Sequence, residues 1–332
     1  MTLKHQLIIF YGSSPGAGKS TLSSFLYDQL RLHDMPMRWV YENDLLYLDA
    51  FQQFVQEVQS GNRQQIDTLL AASHQFVSEF IGNDTSRDTV LLMDSIFPCF
   101  NWLVATGYYS HERIQAFGLT LEQILTPLNP LTIYLDVDQH TALTRAVAQR
   151  GQQWLDDTIR DMSGYGLHQD KPPQTFDDVV AYFKMAGDLS LAWLQGWQSD
   201  VLVLDATHND IEHLKALLLA EIGLDEWQAD VTVDVASLQA LTGVYVGDDV
   251  HAHLQKQLAV TLVDDTLWVD AYWPTGSVLV PEGEHRFRLQ NTSHRIEFGQ
   301  FQDGQPNRLT YDNQGGLSYY HRVQLTEANY EA

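Results

Sequence analysis

Gly12-Ser13-Ser14-Pro15-Gly16-Ala17-Gly18-Lys19-Ser20-Thr21 is the stretch on which the reading of this chain turns. An apolar run, Leu7-Ile8-Ile9-Phe10, leads into it, and Leu22, Phe25, Leu26 and Leu30 follow at helical spacing. A buried strand, a glycine-rich turn and a helix in that order gather backbone N–H groups at a helix N-terminus, which makes an anion nest. Lys19 adds a point charge suited to terminal phosphates, and the Ser20 hydroxyl is a ligand type for Mg²⁺. Gly16, Ala17, Gly18, Lys19, Ser20 and Thr21 are therefore the expected phosphate-binding residues. This is the pattern of a P-loop with one departure: six positions before Lys19, where glycine is usual, stands Ser13, with Gly12 one place earlier. The bland alternative is a strand-to-helix turn without a ligand.

Working outward, short apolar runs at 6–11, 37–41, 89–93, 131–135 and 200–204 read as five buried strands. Between them lie helical patterns such as Ile66, Leu69, Leu70, Phe76, Val77 and Phe80. That alternation predicts an α/β fold over residues 1–224, a parallel five-stranded sheet flanked by helices. After Trp227 the helical period stops. Stretches 231–235, 257–263, 266–272, 277–280, 285–289, 295–301 and 308–311 are strand-like, punctuated by turns such as Asp264-Asp265 and Asp303-Gly304. Residues 230–332 are thus expected to form an all-β antiparallel domain, a small barrel or sandwich, with the junction at 223–230.

The chain has 332 residues, with 19 Lys and Arg against 43 Asp and Glu, a net charge of −24. Such a charge repels a phosphate backbone, which argues against nucleic acid or an anionic membrane as partner. A small phosphorylated ligand needs only a few local cations and stays allowed. Cys99 is the single cysteine, so no internal disulfide or multi-cysteine zinc site can form. Met1 to Gln6 shows no signal-peptide core and no apolar run reaches membrane-spanning length, so a soluble cytoplasmic protein is expected. The histidines show no metal spacing; His251 and His253 read as an exposed polar strand face.

Further phrases narrow the chemistry. Trp39-Val40-Tyr41-Glu42-Asn43-Asp44 closes the second strand and Leu91-Leu92-Met93-Asp94-Ser95 the third. The fourth reads Leu131-Thr132-Ile133-Tyr134-Leu135-Asp136-Val137-Asp138, followed by Arg145, Arg150 and Gly151. Over residues 5–220 this series resembles the deoxynucleoside kinase and thymidylate kinase group of P-loop kinases. The resemblance implies Mg²⁺-dependent transfer of the ATP γ-phosphate to a small-molecule hydroxyl. Glu42 matches the acid that takes the acceptor's proton, a role that suits a carboxylate beside an attacking hydroxyl. Its alternative is a solvated carboxylate at a helix start, with Asp44 as the cap. Asp94 matches the acid near Mg²⁺, so Ser20 and Asp94 are the expected metal-side residues. Arg145 and Arg150 match a mobile lid whose cations neutralise the transferring phosphoryl group. The group places arginine directly after the Asp94 position, where this chain has Ser95. A phosphorylated acceptor needs cations, so the change tilts the expectation toward a neutral acceptor such as a nucleoside.

Two stretches keep two readings each. The aromatic run 96–102 is an acceptor-pocket wall or buried core. The polar stretch 152–173, longer than an ordinary loop, is a substrate-gating insertion or a surface excursion. Residues 238–325 resemble the lipocalin-like barrel appended to penicillin-binding-protein-like serine hydrolases and some aminopeptidases, whose hydrolase body is absent here. The barrel carries no catalytic residues; it binds a partner, pairs protomers as a homodimer, borders the kinase site, or stabilises. Two rivals to a nucleoside kinase remain at this stage: an antibiotic or secondary-metabolite O-phosphotransferase, and a non-catalytic ATP-dependent binding switch.

Overall fold

The computed structural model describes residues 3–60, 65–82, 89–95, 97, 99–164, 166–168, 170–208, 210–224, 227–229, 231–247, 254–271, 276–313 and 316–323. The chain divides into two compact units, 1–228 and 229–332.

The first unit is an α/β fold. Its strands are β1 (Leu7–Tyr11), β2 (Met37–Val40), β3 (Val90–Asp94), β4 (Pro130–Asp136) and β5 (Asp200–Asp205), in sheet order β2-β3-β1-β4-β5. Every neighbouring pair is parallel. All five residues of both β1 and β3 are buried, as strands covered on both faces require. The covering helices are α1 (Lys19–Leu32), α2 (Gln52–Ser60), α3 (Gln65–Gly82), α4 (Phe100–Thr106), α5 (His111–Leu125), α6 (Gln139–Arg150), α7 (Gln152–Ser163), α8 (Phe176–Leu194) and α9 (Ile211–Ile222). One face of the sheet, through Leu7, Ile9, Leu91 and Met93, shares a core with residues of α2, α3, α4, α5 and α8. On the other side α1 packs along β1, β2 and β3 and against α9. Because the strands run parallel, all five C-terminal ends lie on one edge of the sheet.

The second unit begins with α10 (Val235–Leu241) and continues as an eight-stranded antiparallel barrel. Its strands are β6 (Gly243–Gly247), β7 (Gln257–Val263), β8 (Thr266–Val269), β9 (Ser277–Pro281), β10 (Arg286–Leu289), β11 (Arg295–Gln302), β12 (Gln305–Asp312) and β13 (Leu317–Val323). Each pairs with the next, and β13 closes on β6. Alternate residues point inward, so Tyr245, Phe287, Phe298, Leu309, Tyr311 and Tyr320 fill the interior.

Three expectations need correction. Residues 231–235 are not a strand: the Asp234 carboxylate accepts the Ser237 N–H at 2.9 Å and caps α10. The stretch 152–173 is not one long loop: Gln152–Ser163 form helix α7. In α7, Leu155 and Met162 are buried against Leu143, Val179, Phe183 and Ala186. Leu317–Val323 and Gly243–Gly247 are strands that the strand count above omits, and they are the two that close the barrel.

Candidate functional site

In sheet order β2-β3-β1-β4-β5, the connection leaving β1 runs to β2 on one side, and that leaving β3 runs to β4 on the other. The crevice beyond the C-terminal ends of β3 and β1 is thus a topological switch point, where open α/β sheets take ligands. Asp94 ends β3 and the glycine-rich loop follows β1 at this crevice.

The loop is held in one shape by its neighbours. Gly16 has φ +79°, and a Cβ there would lie 2.0 Å from the Ala142 carbonyl oxygen of α6, so only glycine fits. Gly18 caps α1 at φ 96° and offers no side chain to the first N–H groups of the helix. Those N–H groups and the positive end of the helix dipole are left for an anion. Lys19 reaches back across the loop and donates to the Ser14 carbonyl at 2.8 Å. Residue 15 is proline and has no N–H, so the peptide carrying that carbonyl has no donor to place. Ser14 is buried, and its hydroxyl has no hydrogen-bond partner among the described residues.

Three charged groups from separate segments share the crevice. Asp94 is fully buried, and its two oxygens receive the Ser23 hydroxyl at 3.3 Å and the Ser95 hydroxyl at 3.0 Å. Burial first, and the Glu42 carboxylate second, push its pKa up to about 6, while Lys19 and the hydroxyls of Ser20 and Ser95 pull it down. Burial holds the Lys19 ammonium below its usual range; Glu42 and Asp94 oppose this, and Arg150 adds to it. Glu42 itself is exposed. The helix-start role falls to Asp44, which is buried and accepts the Tyr41 N–H at 2.9 Å. Ser95 sits at φ 61°, an unusual backbone for a residue with a side chain, and its N–H is held by the Phe10 carbonyl at 3.0 Å.

The two arginines of α6 part company. Arg150, at the C-terminal end of the helix, acts on Lys19 and lies 5.2 Å over the Trp154 ring of α7. Arg145 instead donates through its guanidinium to the carbonyls of Ala206 at 3.1 Å and Thr207 at 2.7 Å, just past β5. Lys19, Ser20, Glu42, Asp94 and Arg150 therefore meet, and Arg145 borders the site as a clamp on the β5 end. Ser20 and Asp94 offer hard oxygen donors of the kind Mg²⁺ takes. No group of three or more His, Cys, Asp or Glu suited to a metal occurs among the described residues.

The aromatic run resolves in part to core: Phe97 and Phe100 are buried in the main cluster, while Ile96 and Pro98 lie outside the described residues, as do His251 and His253. Two residues with a place at the site escape a motif-based reading. Asn101 of α4 donates to the Ser13 carbonyl at 3.1 Å, and Gly187 of α8 faces the Ser13 side chain. The available signals are a polar residue inside an aromatic run and a glycine inside a helix.

No family model matches this chain, and no curated protein matches it. Among solved structures, the crystal structure of APE1195 is 14% identical and covers 68% of this chain and 99% of its own, with a TM-score of 0.38. A likeness at that level carries no argument about fold or activity. No helix among the described residues is long and apolar enough to cross a membrane. The class stated by the fold itself is an α/β unit with a parallel sheet, followed by a closed antiparallel barrel.

Proposed function

We propose that the α/β unit is a P-loop phosphotransferase that moves the γ-phosphoryl group of ATP, with Mg²⁺, to a hydroxyl of a nucleoside or similarly neutral small molecule in the cytoplasm. The observation that carries this reading is the meeting of Lys19, Ser20, Glu42 and Asp94 at the crevice, from three separate segments. An ammonium, a hydroxyl and two carboxylates beside an open helix N-terminus match what phosphoryl transfer demands: positioning and charge stabilisation more than covalent chemistry.

In this reading the 16–21 backbone and Lys19 bind the β- and γ-phosphates. Lys19 leaves the Ser14 carbonyl to do so, and the buried Ser14 hydroxyl gains a partner. Mg²⁺ would sit by Ser20 and Asp94 and offset charge across the phosphates. Glu42, exposed and not needed as a cap, accepts the acceptor's proton. Arg150 neutralises charge on the transferring group, and Arg145 holds the donor-side wall together through the β5 end. On the acceptor side, position 95 carries a serine whose hydroxyl donates to Asp94 at 3.0 Å, so this position supplies no cation to clamp a phosphate.

The test is ADP release from MgATP, followed with and without a panel of nucleosides, their monophosphates and hydroxylated secondary metabolites. Acceptor-dependent release, greater with neutral nucleosides than with monophosphates, is the expected result. Preference for a monophosphate would overturn the Ser95 argument. Activity confined to a secondary metabolite would move the acceptor class. Tight MgATP binding with no acceptor-dependent release would sink the kinase reading in favour of a binding switch.

A further inference from the structure

Ser13 occupies the place where the P-loop pattern has glycine, and its side chain is buried at 2% exposure. A buried side chain at that turn needs room from something else. The room comes from α8: a Cβ built on Gly187 would stand 2.8 Å from the Ser13 hydroxyl oxygen and 3.3 Å from its Cβ. The next nearest atom, the Tyr134 hydroxyl, is 3.4 Å away, an ordinary contact. Glycine in the middle of a helix weakens it, so its presence in α8 has a packing reason, and the two nearest atoms that reason involves belong to Ser13.

The backbone of the same residue is held from the other side. The Asn101 amide donates to the Ser13 carbonyl at 3.1 Å. Asn101 is fixed in turn: its side-chain oxygen accepts the Tyr11 hydroxyl at 3.2 Å, and its backbone carbonyl accepts the Tyr182 hydroxyl at 2.7 Å. Tyr11 also meets the Ser190 hydroxyl at 2.9 Å, which ties β1, α4 and α8 into one buried network. In a planar trans peptide the C=O and the following N–H point in opposite directions. Fixing the Ser13 carbonyl on α4 therefore fixes the direction of the Ser14 N–H on the opposite side of the loop.

We propose that Gly187 and Asn101 are positioning residues for the phosphate-binding loop: Gly187 admits the Ser13 side chain, Asn101 sets the orientation of the Ser13–Ser14 peptide, and neither touches the ligand. The inference rests on the phosphate-binding reading above.

The experiment is calorimetric titration of MgATP into the 332-residue protein and four groups of variants, with guanidinium unfolding of each. Wild type comes first; if it binds neither MgATP nor MgADP, the phosphate-binding reading fails and this inference falls with it. Given wild-type binding, Gly187→Ala should weaken MgATP affinity by about tenfold or more. In a Ser13→Gly background the same substitution should cost threefold or less, because the atoms it strikes are gone. Equal costs in both backgrounds, or no cost in wild type, would overturn the Gly187 assignment. Asn101→Ala should weaken affinity by roughly five- to tenfold, in line with one lost hydrogen bond. Ser190→Ala perturbs the same network without touching the loop carbonyl and should leave affinity within twofold. If the two variants lose affinity in proportion to their lost stability, Asn101 is merely structural and the assignment fails. Should Gly187→Ala not fold, the Asn101 and Ser190 pair still decides the peptide-orienting half. Recovery of folding in Ser13→Gly/Gly187→Ala then decides the other.

Discussion

At the C-terminal edge of the parallel sheet, Lys19, Glu42 and Asp94 influence one another across the crevice, and the oxygens of buried Asp94 are met by serine hydroxyls. In the barrel, the Glu282 side chain is also largely withdrawn from solvent, at 4% exposure, yet three guanidinium groups close on it: Arg295 at 3.0 Å, Arg286 at 3.4 Å and Arg288 at 3.6 Å. Arg288 and Arg295 are direct cross-strand partners on β10 and β11, a pairing of like charges that the intervening carboxylate makes tolerable. Both units bury charge. The barrel surrounds its charge with counter-charge and thereby stabilises a wall; the α/β unit leaves its carboxylate raised to about 6, in a state that a cation would relieve. The two units thus differ in what surrounds a buried charge: opposite charges in direct contact in the barrel, hydroxyls and more distant charges in the α/β unit.

The sharpest way to break that contrast is one substitution in each unit. Lys19→Ala should lower phosphoryl transfer by about 10³-fold or more, because a charge aimed at the transferring group is removed while no core is disturbed. Arg288→Ala should leave transfer intact and destabilise the barrel by about 1–3 kcal/mol, because a fully buried side chain and its bonds to the Leu289 and Thr292 carbonyls are lost while Glu282 keeps Arg286 and Arg295. Steady-state rates and calorimetric unfolding of both variants measure this. Wild-type turnover in folded Lys19→Ala would remove the loop from the chemistry.

Glu42→Gln keeps shape and loses the proton acceptor. The rate should fall by roughly 10²–10⁴-fold with little change in ATP affinity. A rate that does not move, measured where chemistry limits turnover, shifts the base to Asp94.

The raised Asp94 titration predicts a pH dependence of definite sign. Between about pH 4 and pH 6 the native carboxyl keeps its proton while the unfolded one has lost it. Stability of the ligand-free unit therefore falls as pH rises through that window, by about 3 kcal/mol at most. Mg²⁺ favours the carboxylate form, so Mg²⁺-dependent transfer should rise with pH over a window below the one seen for ligand-free stability. Unfolding midpoints of wild type and Asp94→Asn against pH check it. A slope that persists unchanged in Asp94→Asn would belong to another group.

The smallest expected effect concerns the junction. Trp227 packs on Phe25 with ring centroids 4.8 Å apart, and the Lys215 ammonium sits about equally over both rings at 5.0 and 4.9 Å. The buried Gln29 amide of α1 bonds the Gln228 backbone in both directions, at 3.0 and 2.9 Å. A fragment ending at Gln228 should bind ATP and transfer phosphate, and one ending at Leu224 should be less stable by about 1–2 kcal/mol. Equal stability would make the clamp irrelevant. Loss of transfer in the longer fragment would make the barrel part of the chemistry.

Much of the fold was legible in the residues. Strands such as Leu7–Tyr11 and Val90–Asp94 are nearly pure apolar runs because both faces are covered, and helix faces such as Ile66, Leu69 and Phe76 repeat at the period of a buried stripe. The turn chemistry of Asp264-Asp265 and Asp303-Gly304 marked the barrel hairpins. Less legible was 152–173, whose polar composition hides the two side chains, Leu155 and Met162, that dock α7. Residues 231–235 alternate like a strand, yet a single capping carboxylate, Asp234, turns the chain into helix.

Sequence alone determined the local elements, the alternation that makes the sheet parallel, and the loop that gathers glycine, lysine and serine at a helix start. These depend on period and backbone freedom, properties of neighbouring residues. Tertiary structure alone decided that Asp44 takes the cap and leaves Glu42 exposed, that Arg145 and Arg150 diverge, and that Gly187 makes room for Ser13. Those outcomes depend on which atoms from distant segments come within a few ångströms, a matter that spacing along the chain does not encode.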